Sequence, residues 1–131
     1  MKAGPFFQNT LFTGLLLAVT AFASANDATS SALVGDPMHG KALYQACSAC
    51  HSVDENDIGP KHRGVFGRPA GSVADYAYSA ALKSSGLTWD RSTLDRWLAN
   101  PSQLVPGTKM YFKIDDAQSR ADLIAYLEQL K

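Results

Sequence analysis

Two cysteines and a histidine fall within five residues, Cys47-Ser48-Ala49-Cys50-His51. Cysteines at this spacing lie one helical turn apart, so both thiols point to the same side. Each can then add to a vinyl group on one face of a porphyrin. The histidine that comes next brings an imidazole beneath the ring centre, where it serves as an axial ligand to iron. C-x-x-C-H is the attachment pattern of a c-type haem. Rival chemistries use the same cysteine spacing. A thioredoxin-like dithiol sits in a βαβ context, and no alternating strand pattern surrounds Cys47. A structural zinc site takes four ligands, whereas the chain holds two Cys and three His (His39, His51 and His62) with no second C-x-x-C and no H-x₃₋₅-H. A disulfide between residues this close is strained. Haem is the favoured reading, and zinc, dithiol and disulfide are its alternatives.

A six-coordinate iron needs a second ligand on the face away from His51. Beyond the N-terminal segment the donors are Met38, Met110, His39, His62 and six lysines. Met110 is the best placed. It lies 59 positions after His51, enough chain to circle a ring, in a stretch stiffened by Pro106. Met38 and His39 belong to the helix that carries the cysteines at its end, and neither reaches the far face easily; both are read as ordinary surface residues. His62 falls in a turn-rich loop and is read as solvated. A His/Met iron has both axial positions filled, which leaves no site for oxygen, peroxide or substrate. A thioether favours Fe(II) and raises the reduction potential.

The elements that must position these residues come from the rest of the chain. Residues 1–25 read as an export signal: Lys2, an apolar run from Leu11 to Phe22, and Ala23-Ser24-Ala25 as a small-x-small cleavage pattern, with the cut before Asn26. The apolar run is short for a membrane span, so no permanent anchor is expected; an uncleaved anchor is the alternative. Export in a bacterium means the periplasm, where free thiols seldom persist. Thioether bonds to a haem would occupy both. Removing 25 of 131 residues leaves about 106, one domain with a modest core that a haem would enlarge. Twelve acidic residues then face eleven basic ones. Neutrality and the lack of a basic stripe argue against nucleic acid.

Residues 26–34 form a small, polar, flexible lead-in, and a domain covers 35–131. Asp36-Pro37 opens a helix that runs to about Ala49, with Asp as cap and Pro at the first position. Gly40 inside it points to close approach of another backbone. Ser52 to Ser72 is a loop, too dense in turn residues for a helix; carbonyls around Pro60 can orient the His51 ring through its other nitrogen. A short helical piece spans Ser79 to Ser85 and ends at Gly86. A third helix covers about Arg91 to Ala99, with Leu94, Trp97 and Leu98 inward, and Asn100-Pro101 stops it. Ser102 to Lys113 is extended. The last helix starts after Asp115 or Asp116 and carries a stripe of Ala117, Ala121, Ile124 and Leu127. The class is all-α, about four short helices with long loops wrapped around one cofactor.

With these pieces in register, the sequence resembles a class I cytochrome c of the bacterial cytochrome c2 and mitochondrial cytochrome c group, from Gly35 to about Leu130. The markers are Gly35-Asp36, Gly40, Tyr44, Cys47 to His51, Gly59-Pro60, Gly67-Arg68, Gly71, Tyr78, Trp89, Asn100-Pro101, Pro106 to Met110, and Asp122 to Leu127. The resemblance implies one haem c bound through Cys47 and Cys50, and iron held by His51 and Met110. It implies that the Pro60 carbonyl accepts from His51, that Arg68, Tyr78, Trp89 and Thr108 bind the propionates, and that Phe112 covers the haem near its exposed edge. It further implies that the first helix crosses the last at Gly40, with Tyr44 and Tyr126 packed beside the crossing. Two residues depart from the pattern: Trp97 stands where a Tyr often bonds the Met sulfur, and Leu82 replaces a commonly polar residue. The family's lysine ring is reduced to Lys61, Lys109 and Lys113, with Asp54, Glu55 and Asp57 close in sequence, which implies weak steering toward acidic partners. The implied protein is a monomeric periplasmic one-electron carrier between a cytochrome bc1-type donor and an oxidase, reductase or reaction centre. A small peroxidase-like haem enzyme is the alternative should the Met ligand be labile.

Overall fold

The computed structural model describes residues 1, 2, 4 and 33–131. The expected export signal and most of the lead-in lie outside the described residues, and the fold is that of the unit ending at Lys131. Helix α1 spans Pro37–Leu43, capped by the Asp36 carboxylate, which accepts from the Met38 amide with Pro37 at the first position. The α-helix ends earlier than expected, and Tyr44–Ala49 tightens into a 3₁₀ turn. Two short helices, α2 (Ala80–Lys83) and α3 (Arg91–Ala99), come after the long loop. Asp90 and Thr93 close a reciprocal capping box at the start of α3, each side chain accepting from the other's amide. Asn100-Pro101 ends α3 as expected, but the next residues are not extended. The Asn100 side chain accepts from the Gln103 amide, and Pro101 begins another short helix, α4 (Pro101–Leu104). The pair that stops one helix therefore starts the next. The last helix, α5, spans Ala117–Leu127 behind an Asp116 cap. Among the described residues there is no β-strand, only an isolated bridge between Pro69 and Thr88.

Helix α1 packs mainly on α5, and α3 packs on α5 as well. The first crossing is backbone against backbone. A methyl group at Gly40 would meet the Asp122 carbonyl well inside 3.0 Å, and one at Gly35 would meet that of Ala121. The Tyr44 and Tyr126 rings pack at 5.2 Å beside the crossing. Buried Leu82, Leu94, Trp97, Leu98, Leu123, Ile124 and Leu127 form the core.

One carboxylate ties this crossing together. Asp122 is 3% exposed in an otherwise apolar run. Its Oδ2 lies 2.6 Å from His39 Nδ1, and its Oδ1 accepts from the Asp36 amide and the Gln118 side chain, both at 2.8 Å. His39 is thus no idle surface residue, although half of its side chain meets solvent. These bonds, His39 first, hold the Asp122 carboxyl down at about 2. A group depressed in the folded state stabilises the fold above its ordinary value of 3.8 and loses that contribution as the pH falls through its folded value. Asp122→Asn should therefore lower the denaturant midpoint at pH 7, and the deficit should shrink between about pH 4 and pH 2. An equal deficit at pH 7 and pH 2 would contradict this reading.

Candidate haem-binding site

The 3₁₀ turn that closes α1 sets the cysteine geometry. With three residues per turn, positions three apart stack above one another. The Cys50 and His51 amides both donate to the Cys47 carbonyl, at 3.0 and 2.9 Å, which closes a tight turn around the motif. Cys47, Cys50 and His51 line one wall of a cavity of about 540 Å³. Its remaining walls include Val65, Leu82, Leu94, Leu98, Leu123 and Leu127, with Trp89, Trp97, Met110 and Phe112.

His51 is gripped from two neighbours. Its Nδ1–H donates to the Pro60 carbonyl at 2.7 Å, which leaves Nε2 as the metal-binding nitrogen. The Gly59 backbone rests against the ring, and a methyl there would sit inside 3.0 Å of Cε1, Nδ1 and Nε2. Gly59 is itself pinned by a 2.7 Å bond from its amide to the Cys50 carbonyl. Burial holds the His51 imidazole below its ordinary value, so the neutral, metal-binding form prevails near pH 7. Burial, helped by Cys50, pushes the Cys47 thiol up to about 11. That is opposite to the activated thiolate of a redox dithiol. Among the described residues no three His, Cys, Asp or Glu side chains converge as a metal cage. The zinc and dithiol alternatives therefore find no support in this arrangement.

The other expected residues gather around the same cavity. Met110 is half-buried in its wall, its amide within 3.4 Å of Thr108 Oγ1, and Thr108 is buried. Arg68 donates to the carbonyls of Arg63 at 3.0 Å and Lys61 at 2.9 Å. No carboxylate pairs with it among the described residues. The bridge at Pro69 carries backbone bonds from the Gly67 amide to the Trp89 carbonyl and from the Trp89 amide to the Arg68 carbonyl, which places Arg68 and Trp89 side by side. Trp89 and Trp97 tilt together at 5.2 Å, and the Tyr78 hydroxyl accepts from the Val73 amide at 3.3 Å. Ile58, Tyr111 and Phe112 remain exposed at the cavity rim.

His62 departs from the solvated position expected of it. It is half-buried in the cavity wall. Its ring stacks on His51 with centroids 4.0 Å apart, and its Nδ1 lies 3.1 Å from the Tyr44 hydroxyl. Burial drives its pKa down to about 3, so it is neutral. Nothing in the loop's turn-rich pattern marks one histidine as inward; only its closeness to Gly59-Pro60 hints at it.

Of the surface cations expected to steer partners, Lys113 pairs with Asp115 at 3.0 Å and Lys109 donates to the Ala77 carbonyl at 2.9 Å. The Lys113 charge is thus partly met by a carboxylate, while Lys109 keeps its charge at the surface.

Residues 38–131 match the protein-family model described as Cytochrome c. The cytochrome c2 of Rhodomicrobium vannielii is 45% identical over 102 residues, covering 75% of this chain and 82% of that protein. The cytochrome c2 of Rhodoblastus acidophilus is 42% identical over 101 residues, covering 74% and 94%. Among solved structures, cytochrome cH from Methylobacterium extorquens superposes with a TM-score of 0.70 at 48% identity, covering 72% of this chain and 99% of that one. The ferricytochrome c2 from Rhodopseudomonas palustris gives 0.68 at 36%, covering 73% and 99%.

The contact at Gly59 yields a direct test. Gly59→Ala forces a methyl onto the His51 ring, so the ring or the loop must give way, at a cost of about 1–3 kcal/mol. The variant should show a lower denaturant midpoint together with an altered ferric visible spectrum. Wild-type values for both would contradict the tight packing around His51.

Proposed function

From its membership of the cytochrome c family, to which this chain belongs, we propose that it is a periplasmic carrier whose iron is held by His51 and Met110. As a family member it is a c2-like electron-transfer protein rather than an enzyme, and it carries haem c bound covalently at the Cys47–Cys50 motif. The observation that carries the finer reading is one apolar cavity lined at once by Cys47, Cys50, His51 with its Nδ1 engaged by Pro60, and Met110.

The residues fit a haem. When bound, it supplies a one-electron Fe(III)/Fe(II) couple. The chain's own groups supply the rest. His51 enters pre-oriented, because Pro60 and Gly59 fix its ring. Met110 offers a soft sulfur that favours the ferrous state. The apolar walls disfavour the extra positive charge of the ferric state. Arg68 lies in the wall and has no carboxylate partner among the described residues, which suits a propionate; Tyr78, Trp89 and Thr108 are proposed to share that role. His51 and Met110 would both hold the iron and so keep substrate from it, and Phe112, exposed at the cavity rim, would cover the group where a partner could approach.

Redox proteins are its partners. A membrane bc1-type donor and an oxidase, reductase or reaction-centre acceptor are the proposed ones, met by a monomer. Export rests on Lys2, the Leu11–Phe22 apolar run and Ala23-Ser24-Ala25. No helix among the described residues is long and apolar enough to cross a membrane.

Met110→Ala should lower the midpoint potential by more than about 59 mV, the size of a tenfold one-electron shift, and should open the ferrous iron to carbon monoxide. An unchanged potential with an unchanged ferric spectrum would refute Met110 as the ligand.

A further inference from the structure

His62 has no part in the proposed ligation, yet its ring lies flat against that of His51. The two imidazoles lie within 21° of parallel with centroids 4.0 Å apart. The stack is held from both sides. The His62 amide donates to the Ser52 carbonyl at 3.0 Å, which locks its register to the residue after His51. At the ring, Nδ1 and the Tyr44 hydroxyl share a 3.1 Å hydrogen bond. Tyr44 in turn packs on Tyr126 of α5 at 5.2 Å. Four rings thus run in sequence from the α1–α5 crossing to the imidazole at the cavity wall: Tyr126, Tyr44, His62, His51.

We propose that His62 is a positioning residue of the haem site, which fixes the rotation of the His51 ring by stacking on it while Tyr44 holds His62 in place. The inference rests on His51 being the proximal ligand. Pro60 fixes the Nδ1–H of the ring, and the Gly59 backbone bounds it beside Cε1, Nδ1 and Nε2. A flat neighbour stacked on the ring adds a plane to these two constraints and so sets its rotation. An aliphatic side chain would fill the space without defining a plane. The stack has an electrostatic consequence too. Ferric iron draws charge from the imidazole, and the electron-rich face of a second ring lying over it favours that state. Loss of the stacked ring should therefore raise the midpoint potential.

The test compares His62→Leu with His62→Phe in the haem-loaded protein. Both lose the bond to Tyr44, so the difference between them isolates the flat ring. Denaturant midpoints measured alongside report the structural cost common to both. In the ferric protein, the paramagnetic shifts of the four haem methyl groups report the orientation of the axial ligand plane. His62→Leu should change that pattern and favour the ferrous form at least threefold, about 28 mV at about 59 mV per tenfold. His62→Phe should retain most of the wild-type pattern and less than half of the potential shift. A His62→Leu protein with wild-type methyl shifts and potential overturns the proposal, as does a His62→Phe protein that matches His62→Leu in both. Should the wild-type spectrum show no haem-shifted His51 resonances, the ligation itself fails and the positioning role with it, an outcome distinct from the other two.

Discussion

Gly40 and Asp122 meet backbone to backbone, and the haem wall depends on that closeness. A side chain at Gly40 would lift α1 off α5. The Asp122 carboxylate reinforces the contact by binding the first turn of α1 through the Asp36 amide and His39. With its start anchored there, the seven-residue helix and its 3₁₀ extension deliver Cys47, Cys50 and His51 to one place on the cavity wall. Local sequence alone would not do this, since a helix this short is unstable by itself. Tertiary contact at the far end supplies the order that the attachment motif needs.

The same economy governs the cavity. A domain of about a hundred residues builds only a modest core, and here the core side chains double as cavity walls: Leu82, Leu94, Leu98, Leu123 and Leu127 serve both. A covalently bound haem c therefore completes the interior of the protein as well as giving it a redox centre. The proposed ligation grows out of this arrangement. Apolar surroundings and two donors held by the fold, His51 and Met110, would let a haem there change oxidation state with little rearrangement, which suits the electron-transfer role of the family. Among the polar groups of the wall, the Pro60 carbonyl accepts from the imidazole, and Arg68 offers the donors proposed to meet a propionate.

Much of this is legible in residue types and spacing. The cap at Asp36, the last helix beginning after Asp115 or Asp116 and the close approach at Gly40 follow local rules and lie where the residues place them; the Tyr44–Tyr126 pair follows from the family resemblance instead. The misses have physical causes. The tightening of α1 into a 3₁₀ turn over Tyr44–Ala49 carries no mark in the residue pattern, because side-chain periodicity scarcely separates an α-helix from a 3₁₀ turn over six residues. Helix α4 is hidden because Asn-Pro reads as a stop, while the same Asn side chain can cap a new helix beginning at Pro101. His39 and His62 look like surface residues because no periodicity marks a partner 83 or 18 positions away. Asp122, a lone carboxylate in a buried run, is the one signal that His39 has something to bind. For His62 the sequence offers only proximity to the turn that orients His51.

The central claim is that Cys47 and Cys50 carry a haem covalently. Mass spectrometry of the purified, exported protein after denaturation and acidic organic extraction tests it most directly. The predicted result is a polypeptide heavier by one haem, coloured after extraction, with neither cysteine open to a thiol reagent. A colourless polypeptide of unmodified mass, with both thiols reactive or joined to each other, would contradict it.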